Sequence, residues 1–306
     1  MRATYRSRSA WLSSLSFLIL CIQLAAAEGI PRADDAPQPL SPDESLARVH
    51  MPKGLAMSLV ASEPQLQDPS GIAFDEWGRL FVCELHGYNI EGHLDVQELN
   101  KTGELDEQVR RIRWEFMDGE IAEEAEKLQF GVVKLLSDRD GDGVMDHHEV
   151  WADDLPPCYG LIAARGGIIA VCAPDIVFLA DRDGDGMVDF RETLFTGFRV
   201  RTLERGINNP RWGFDNWIYV GGGGEGGRIT GPHLKDAVDL GGTDFRIKAD
   251  GSAIEPVTGR VGTFGMTLNQ VGDRFPSSGG TPAIYALPIP YRYLQRNPFV
   301  ASPGMN

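Results

Sequence analysis

Two twelve-residue stretches, DRDGDGVMDHHE from Asp138 to Glu149 and DRDGDGMVDFRE from Asp181 to Glu192, repeat one acidic pattern 43 residues apart. A hard dication such as calcium takes about six to eight oxygen ligands. A twelve-residue loop offers them at positions 1, 3, 5, 7, 9 and 12, with glycine at position 6 for the sharp turn. The first stretch places Asp138, Asp140, Asp142, the Val144 carbonyl, Asp146 (through a water) and Glu149 at those positions. The second places Asp181, Asp183, Asp185, the Met187 carbonyl, Asp189 and Glu192 there. Gly143 and Gly186 stand at the turn. The alternative is an Asp/Gly hairpin turn without metal, but converging carboxylates repel one another unless a cation joins them. The pattern therefore predicts two Ca²⁺ sites. A loop that wraps its ion leaves few coordination positions for substrate, so the expected role is structural.

The runs that precede these loops, VVKLLS and DIVFLA, read as strands rather than as the flanking helices of an EF-hand. Strand–turn–strand units recur along the chain: GIAFDEWGRLFVCE from Gly71, GLIAARGGIIAVCA from Gly160 and WGFDNWIYVGG from Trp212. Each is followed by a further pair of strands, GVVKLL with HEVWADDL, DIVFLA with ETLFTGF, and the hairpin DFRIKADGSAIEPV. Four short strands per unit at a period near 43 residues predict an all-β fold, a β-propeller with calcium loops between blade strands. The blades fall at about 71–156, with an acidic insertion over 93–127, at 157–199 and at 205–260, with a partial blade over 262–291. Closed propellers use about four to eight blades, so the expectation is an incomplete ring, truncated at its C-terminal side. MSLVASEP, Met57 to Pro64, reads as an outer strand supplied to the last blade.

Residues 1–27 read as a secretory signal peptide: Arg2, Arg6 and Arg8, an apolar run from Trp11 to Leu24, then Ala25-Ala26-Ala27. Residues 28–40 form a Pro/Ala/Asp-rich linker, and 41–306 the propeller domain. Ser41-Pro42-Asp43-Glu44 is a helix start with a capping box. The expected location is exported, periplasmic or extracellular, with no transmembrane span in the mature chain. A net charge of −15 opposes binding to nucleic acid or anionic lipid. Cys83, Cys158 and Cys172 lie beyond the signal and read as small buried apolar residues, with no C-x-x-C pair for zinc and no C-x-x-C-H for haem.

The segments DPSGIAFDEWGRLFVCELHGY, VVKLLSDRDGDGVMDHHEVWADDL, APDIVFLADRDGDGMVDFRETLFTGF and RWGFDNWIYVGG resemble the membrane-bound dehydrogenase family of planctomycetes and verrucomicrobia. The N-terminal domain of that family is similar to the soluble quinoprotein glucose/sorbosone dehydrogenases. The resemblance implies a six-bladed propeller, an oxidoreductase of sugars or other alcohols, pyrroloquinoline quinone as cofactor and a separate cytochrome c as electron acceptor. Quinoprotein chemistry needs a general base and groups that hold the quinone. His86, Arg205 and His233 are the catalytic candidates, and Glu84, Tyr88 and Asn208 the cofactor-binding ones. Relatives carry a histidine near the position of Arg205, and this chain has none there. GGGGEGG, Gly221 to Gly227, has no following G-K-[ST] and reads as a loop at the propeller mouth. A non-catalytic propeller that binds carbohydrate or protein, with calcium as a brace, is the alternative function.

Overall fold

The computed structural model describes residues 40–85, 131–200, 206–257, 259, 262–280, 282–287, 293 and 296. The signal, the linker up to Pro39, the 93–127 insertion, His86, Tyr88 and Arg205 lie outside these residues. The chain enters through a single short helix, α1 (Pro42–Ala47), whose Ser41 side chain and Glu44 form the capping box. Strand and turn make up most of the other described residues.

The first sheet runs β1 (Pro69–Phe74), β2 (Leu80–Leu85), β3 (Gly131–Ser137) and β4 (His147–Leu155), antiparallel and in chain order. The second begins the same way with β5 (Leu161–Ala164), β6 (Gly167–Cys172), β7 (Asp175–Ala180) and β8 (Phe190–Phe198). The third is built from β9 (Asn208–Trp212) and β10 (Ile218–Gly221), then leaves for β11 (Gly227–Thr230) and β12 (Val238–Leu240). It resumes with β13 (Phe245–Ile247) and β14 (Ile254–Pro256). The β15 (Gly265–Leu268) and β16 (Arg274–Ser277) hairpin opens a fourth sheet, with bridges from Arg274 to Leu287 and from Ser277 to Ile284.

Apolar clusters lie between consecutive sheets, as blade packing requires. Phe81, Cys83, Val133, Trp151, Leu161 and Ile168 join the first sheet to the second. Phe178, Leu194, Ile218 and Phe245 join the second to the third. Trp151 meets Phe81 edge-on at 4.9 Å. Leu80, Val82 and Leu136 cover the opposite face of the first sheet and pack on Ala61 and Leu66 of the entering segment. The architecture is thus a β-propeller, open rather than closed among the described residues. Ile72 and Phe74 of β1 stay more than half exposed on the side away from the second blade.

The inner strands approach so closely that only glycine fits between them. A Cβ on Gly71 would lie 2.9 Å from the Gly160 Cα, and one on Gly160 would lie 2.5 Å from the Pro210 Cδ.

The third blade differs from expectation. The β11–β12 hairpin leaves it and extends the second blade to six strands, ordered β12-β11-β8-β7-β6-β5. The glycine run permits this crossing and is no open mouth loop. A Cβ on Gly226 (φ +67°) would stand 2.1 Å from the Leu240 carbonyl oxygen. Gly227 pairs directly with Phe198.

Gly160→Ala is expected to cost about 1–3 kcal/mol through overpacking at the inner ring, read as a lowered melting temperature, whereas Gly78→Ala meets nothing within 4 Å and is limited to the strain of its positive φ.

Candidate metal centres and the opposite mouth

Each acidic loop joins the third and fourth strands of its blade, following Ser137 in one case and Ala180 in the other. The two loops fold on the same internal scaffold. Gly141 and Gly143 donate backbone N–H bonds to the two oxygens of Asp138 at 2.7 and 2.8 Å. Gly184 and Gly186 do the same for Asp181 at 2.6 and 3.0 Å. Asp140 Oδ1 accepts from Asp142 N–H and Asp142 Oδ1 from Val144 N–H. Asp183 and Asp185 accept in the same way from Asp185 and Met187. Asp146 and Asp189 each accept from the residue after the first aspartate, Arg139 and Arg182. The Gly143 N–H is the main cause that holds the Asp138 carboxyl below the ordinary aspartate value.

This scaffold aims carboxylates at one point. Asp138, Asp140 and Asp142 bring one oxygen each within 4.8 Å of one another, and Asp181, Asp183 and Asp185 do likewise. Three hard anionic oxygens are a donor set that fits a hard cation. Val144, Asp146, Met187 and Asp189 lie on the same loops.

The twelfth residues are placed differently. Strands begin at position 10, His147 and Phe190, so side-chain alternation decides which way the later residues face. Glu149 shares a face with buried Trp151, and Glu192 with buried Leu194, the faces that meet the next blade. Glu149 consequently lies beside the second loop, its Oε1 3.6 Å from where a Cβ on Gly186 would stand. Glu192 Oε1 is 2.7 Å from His233 Nε2, and its Oε2 3.8 Å from Arg165 Nη1.

The loops also hold on to the chain behind them, the entering segment in one case and the first blade in the other, which sequence reasoning missed. The Met145 N–H donates to the Val60 carbonyl at 2.7 Å, and the Val188 N–H donates to the Trp151 carbonyl at 3.0 Å. Both donors occupy position 8 of their loop. The shared apolar residue there, Met145 and Val188, was the available signal. Segment 57–64 therefore meets the first loop as strand β4 meets the second.

Glu84 and Asn208, the cofactor candidates among the described residues, lie at the other end of the strands. Glu84 pairs with Val132 near the start of β3, while Asp138 follows that strand's far end. Six or seven residues separate the ends, roughly 20 Å at about 3.3 Å each. Glu84 is fully buried; its Oε1 accepts from Gln67 N–H at 2.7 Å and meets Lys134 Nζ at 2.8 Å. Asn208 is buried at the start of β9, its Nδ2 donating to the Gly206 and Thr263 carbonyls. Near it, buried Asp244 accepts from Gly222 N–H, Thr263 Oγ1 and Arg274 Nη1. Burial raises the Asp244 carboxyl and lowers the Arg274 guanidinium. His233 sits with Glu192 and the Gly251 turn, so it is not brought together with Glu84 and Asn208. Glu84 is committed to internal partners and does not fit a cradle for a polycarboxylate quinone, whereas Asn208 spends its amide N–H groups internally and leaves its buried Oδ1 without a partner among the described residues.

Antiparallel blades around close-packed inner strands, with paired acidic loops on one rim, define an open β-propeller with two candidate cation sites. Over residues 41–306 the chain belongs to the DUF7133 family, a domain of unknown function. No curated protein matches its sequence. Among solved structures it is similar to the PQQ-bound form of aldose sugar dehydrogenase from Streptomyces coelicolor, at 15% identity and a TM-score of 0.41. That similarity covers 76% of this chain and 63% of the other, so the chain spans less than two thirds of that enzyme's length. No helix among the described residues is long and apolar enough to cross a membrane.

Removing one partner of the buried Asp244–Arg274 pair leaves an uncompensated charge. Arg274→Met is expected to destabilise by about 3–5 kcal/mol, and the Asp244→Asn/Arg274→Met double variant to regain part of that loss in denaturant titration.

Proposed function

We propose that the chain is an exported propeller in which calcium occupies both acidic loops and braces each blade to the one before it. The observation that carries this reading is the duplicated carboxylate triad, each copy built on the same backbone bonds and docked at position 8. Asp138, Asp140 and Asp142 would hold one ion, with Asp146 and the Val144 carbonyl. Asp181, Asp183 and Asp185 would hold the other, with Asp189 and the Met187 carbonyl. Glu149 and Glu192 complete the twelve-residue pattern in sequence, and Glu149 stands close enough to the second loop to add to its negative field.

The motif resemblance supports a quinoprotein-like dehydrogenase of sugars or other alcohols, passing electrons to a separate cytochrome c. Bound pyrroloquinoline quinone would supply the two-electron acceptor. In this reading the base and quinone contacts would fall to His86, Tyr88 and Arg205, with Asn208 Oδ1 as a further acceptor, since Glu84 is internally committed and His233 lies towards the acidic rim. A second reading, a non-catalytic propeller that binds carbohydrate or protein, is favoured by the internal commitment of Glu84.

Two measurements test these readings. Chelation is expected to lower the melting temperature of the wild type; a site held at 100 times its Kd contributes about 2.7 kcal/mol. Asp140→Ala/Asp183→Ala should melt low with or without chelator. Indifference of the wild type to chelator would leave the loops as ordinary turns. Separately, the calcium-loaded protein is titrated with pyrroloquinoline quinone and assayed for dye reduction with a sugar panel. Quinone uptake and sugar-dependent reduction support the dehydrogenase; a folded, calcium-loaded protein that takes up no quinone decides for the binding propeller.

A further inference from the structure

The mouth end of the first blade interface contains a cluster that neither the metal loops nor the quinone reading uses. Cys83 comes from β2, Cys158 from the connection into β5, and Cys172 from the end of β6; all three are fully buried. They share one apolar cluster with Phe81 and Trp151. Cys158 lies beside both others: Ser70 reaches Cys83 and Cys158 together, and the Tyr159 N–H donates to the Val171 carbonyl at 2.8 Å, which sets Cys158 opposite Cys172. Ser70 fastens the arrangement: its Oγ lies 3.3 Å from the Cys83 Sγ and donates to the Cys158 carbonyl at 2.6 Å. The glycine contact between Gly71 and Gly160 brings the two backbones together at the same place.

We propose that these residues form a one-disulfide site across the first two blades, in which Cys158 is always one partner and either Cys83 or Cys172 is the other. Three thiols allow one bond and leave one thiol over, and Cys158 is the member placed between the others, joined to Cys83 through Ser70 and set opposite Cys172 by the Tyr159–Val171 bond. The bond forms while the blades are still coming together. An unfolded-chain thiolate attacks a small-molecule disulfide such as oxidised glutathione, giving a mixed disulfide and releasing one glutathione thiol. The second cysteine then attacks the protein sulfur of that mixed disulfide and releases the other glutathione. The two cysteines lose two electrons and two protons, and the oxidant gains them as two thiols. The third cysteine can exchange into the bond by attacking Cys158 and expelling its partner.

Once folded, the site is inert. Zero exposure bars the oxidant, and two of the thiols are held towards the protonated form: Cys158 and burial push Cys83 up, and burial and Cys172 push Cys158 up. Only the thiolate reacts.

The test uses the full chain with Cys21→Ser, so that only the three core thiols report. Reduced, denatured protein is refolded with calcium in a glutathione redox buffer, then its thiols are counted under denaturing conditions and its disulfides mapped by mass spectrometry. The expected count falls from three to one, with Cys158 in every disulfide. Cys83→Ala and Cys172→Ala should each still form one disulfide, and Cys158→Ala none. Protein folded while reduced should keep all three thiols in the same buffer. A Cys83–Cys172 bond, three thiols after oxidative refolding, a disulfide in Cys158→Ala, or rapid oxidation of the folded reduced protein would each overturn the proposal. The wild-type map decides even where a variant fails to fold.

Discussion

Three carboxylates of each acidic loop converge within 4.8 Å, and the rim of the propeller depends on how their repulsion is offset. Backbone N–H groups from glycines at positive φ, Gly141, Gly143, Gly184 and Gly186, point at these oxygens and pre-form the loop. They do not remove the charge. A dication does, and because position 8 of the first loop is bonded to the entering segment at Val60 and that of the second to strand β4, whatever fixes a loop fixes its contact with the preceding chain as well. Electrostatics at the rim and strand packing at the inner ring therefore act on the same pair of blades from different sides.

The fold was legible wherever one residue decides one conformation. Ser41 and Glu44 gave away the capping box, and Asp75 to Gly78 the first hairpin turn, where Asp75 Oδ1 accepts from the Trp77 and Arg79 N–H groups. The short apolar runs VVKLLS and DIVFLA located β3 and β7. What escaped was the set of features that depend on two distant segments. The β11–β12 hairpin has ordinary strand residues, and only its pairing with β8, 29 positions back from Gly227 to Phe198, assigns it to the second blade. The glycine run that carries the crossing looks like a mobile loop when its neighbours are unknown.

The acidic loops show both outcomes in one motif. Their spacing marks the aspartates that converge. The same spacing suggests that Glu149 and Glu192 close the ring of ligands, yet the strands starting at His147 and Phe190 turn both towards the next blade. A helical flank and a strand flank carry the twelfth residue to different places, and no count along the loop distinguishes them. The mouth was less legible still: Glu84 and Asn208 are polar and sit at strand ends, but burial has turned both into internal fasteners.

The most direct measurement of the brace is amide hydrogen exchange at Met145 and Val188, compared in calcium and in chelator. If cation binding in the loops holds each blade to its predecessor, both amides exchange markedly more slowly with calcium, together with the neighbouring N–H groups of Gly143 and Gly186. Equal exchange at Met145 and Val188 in the two conditions, in a folded protein, would contradict the account.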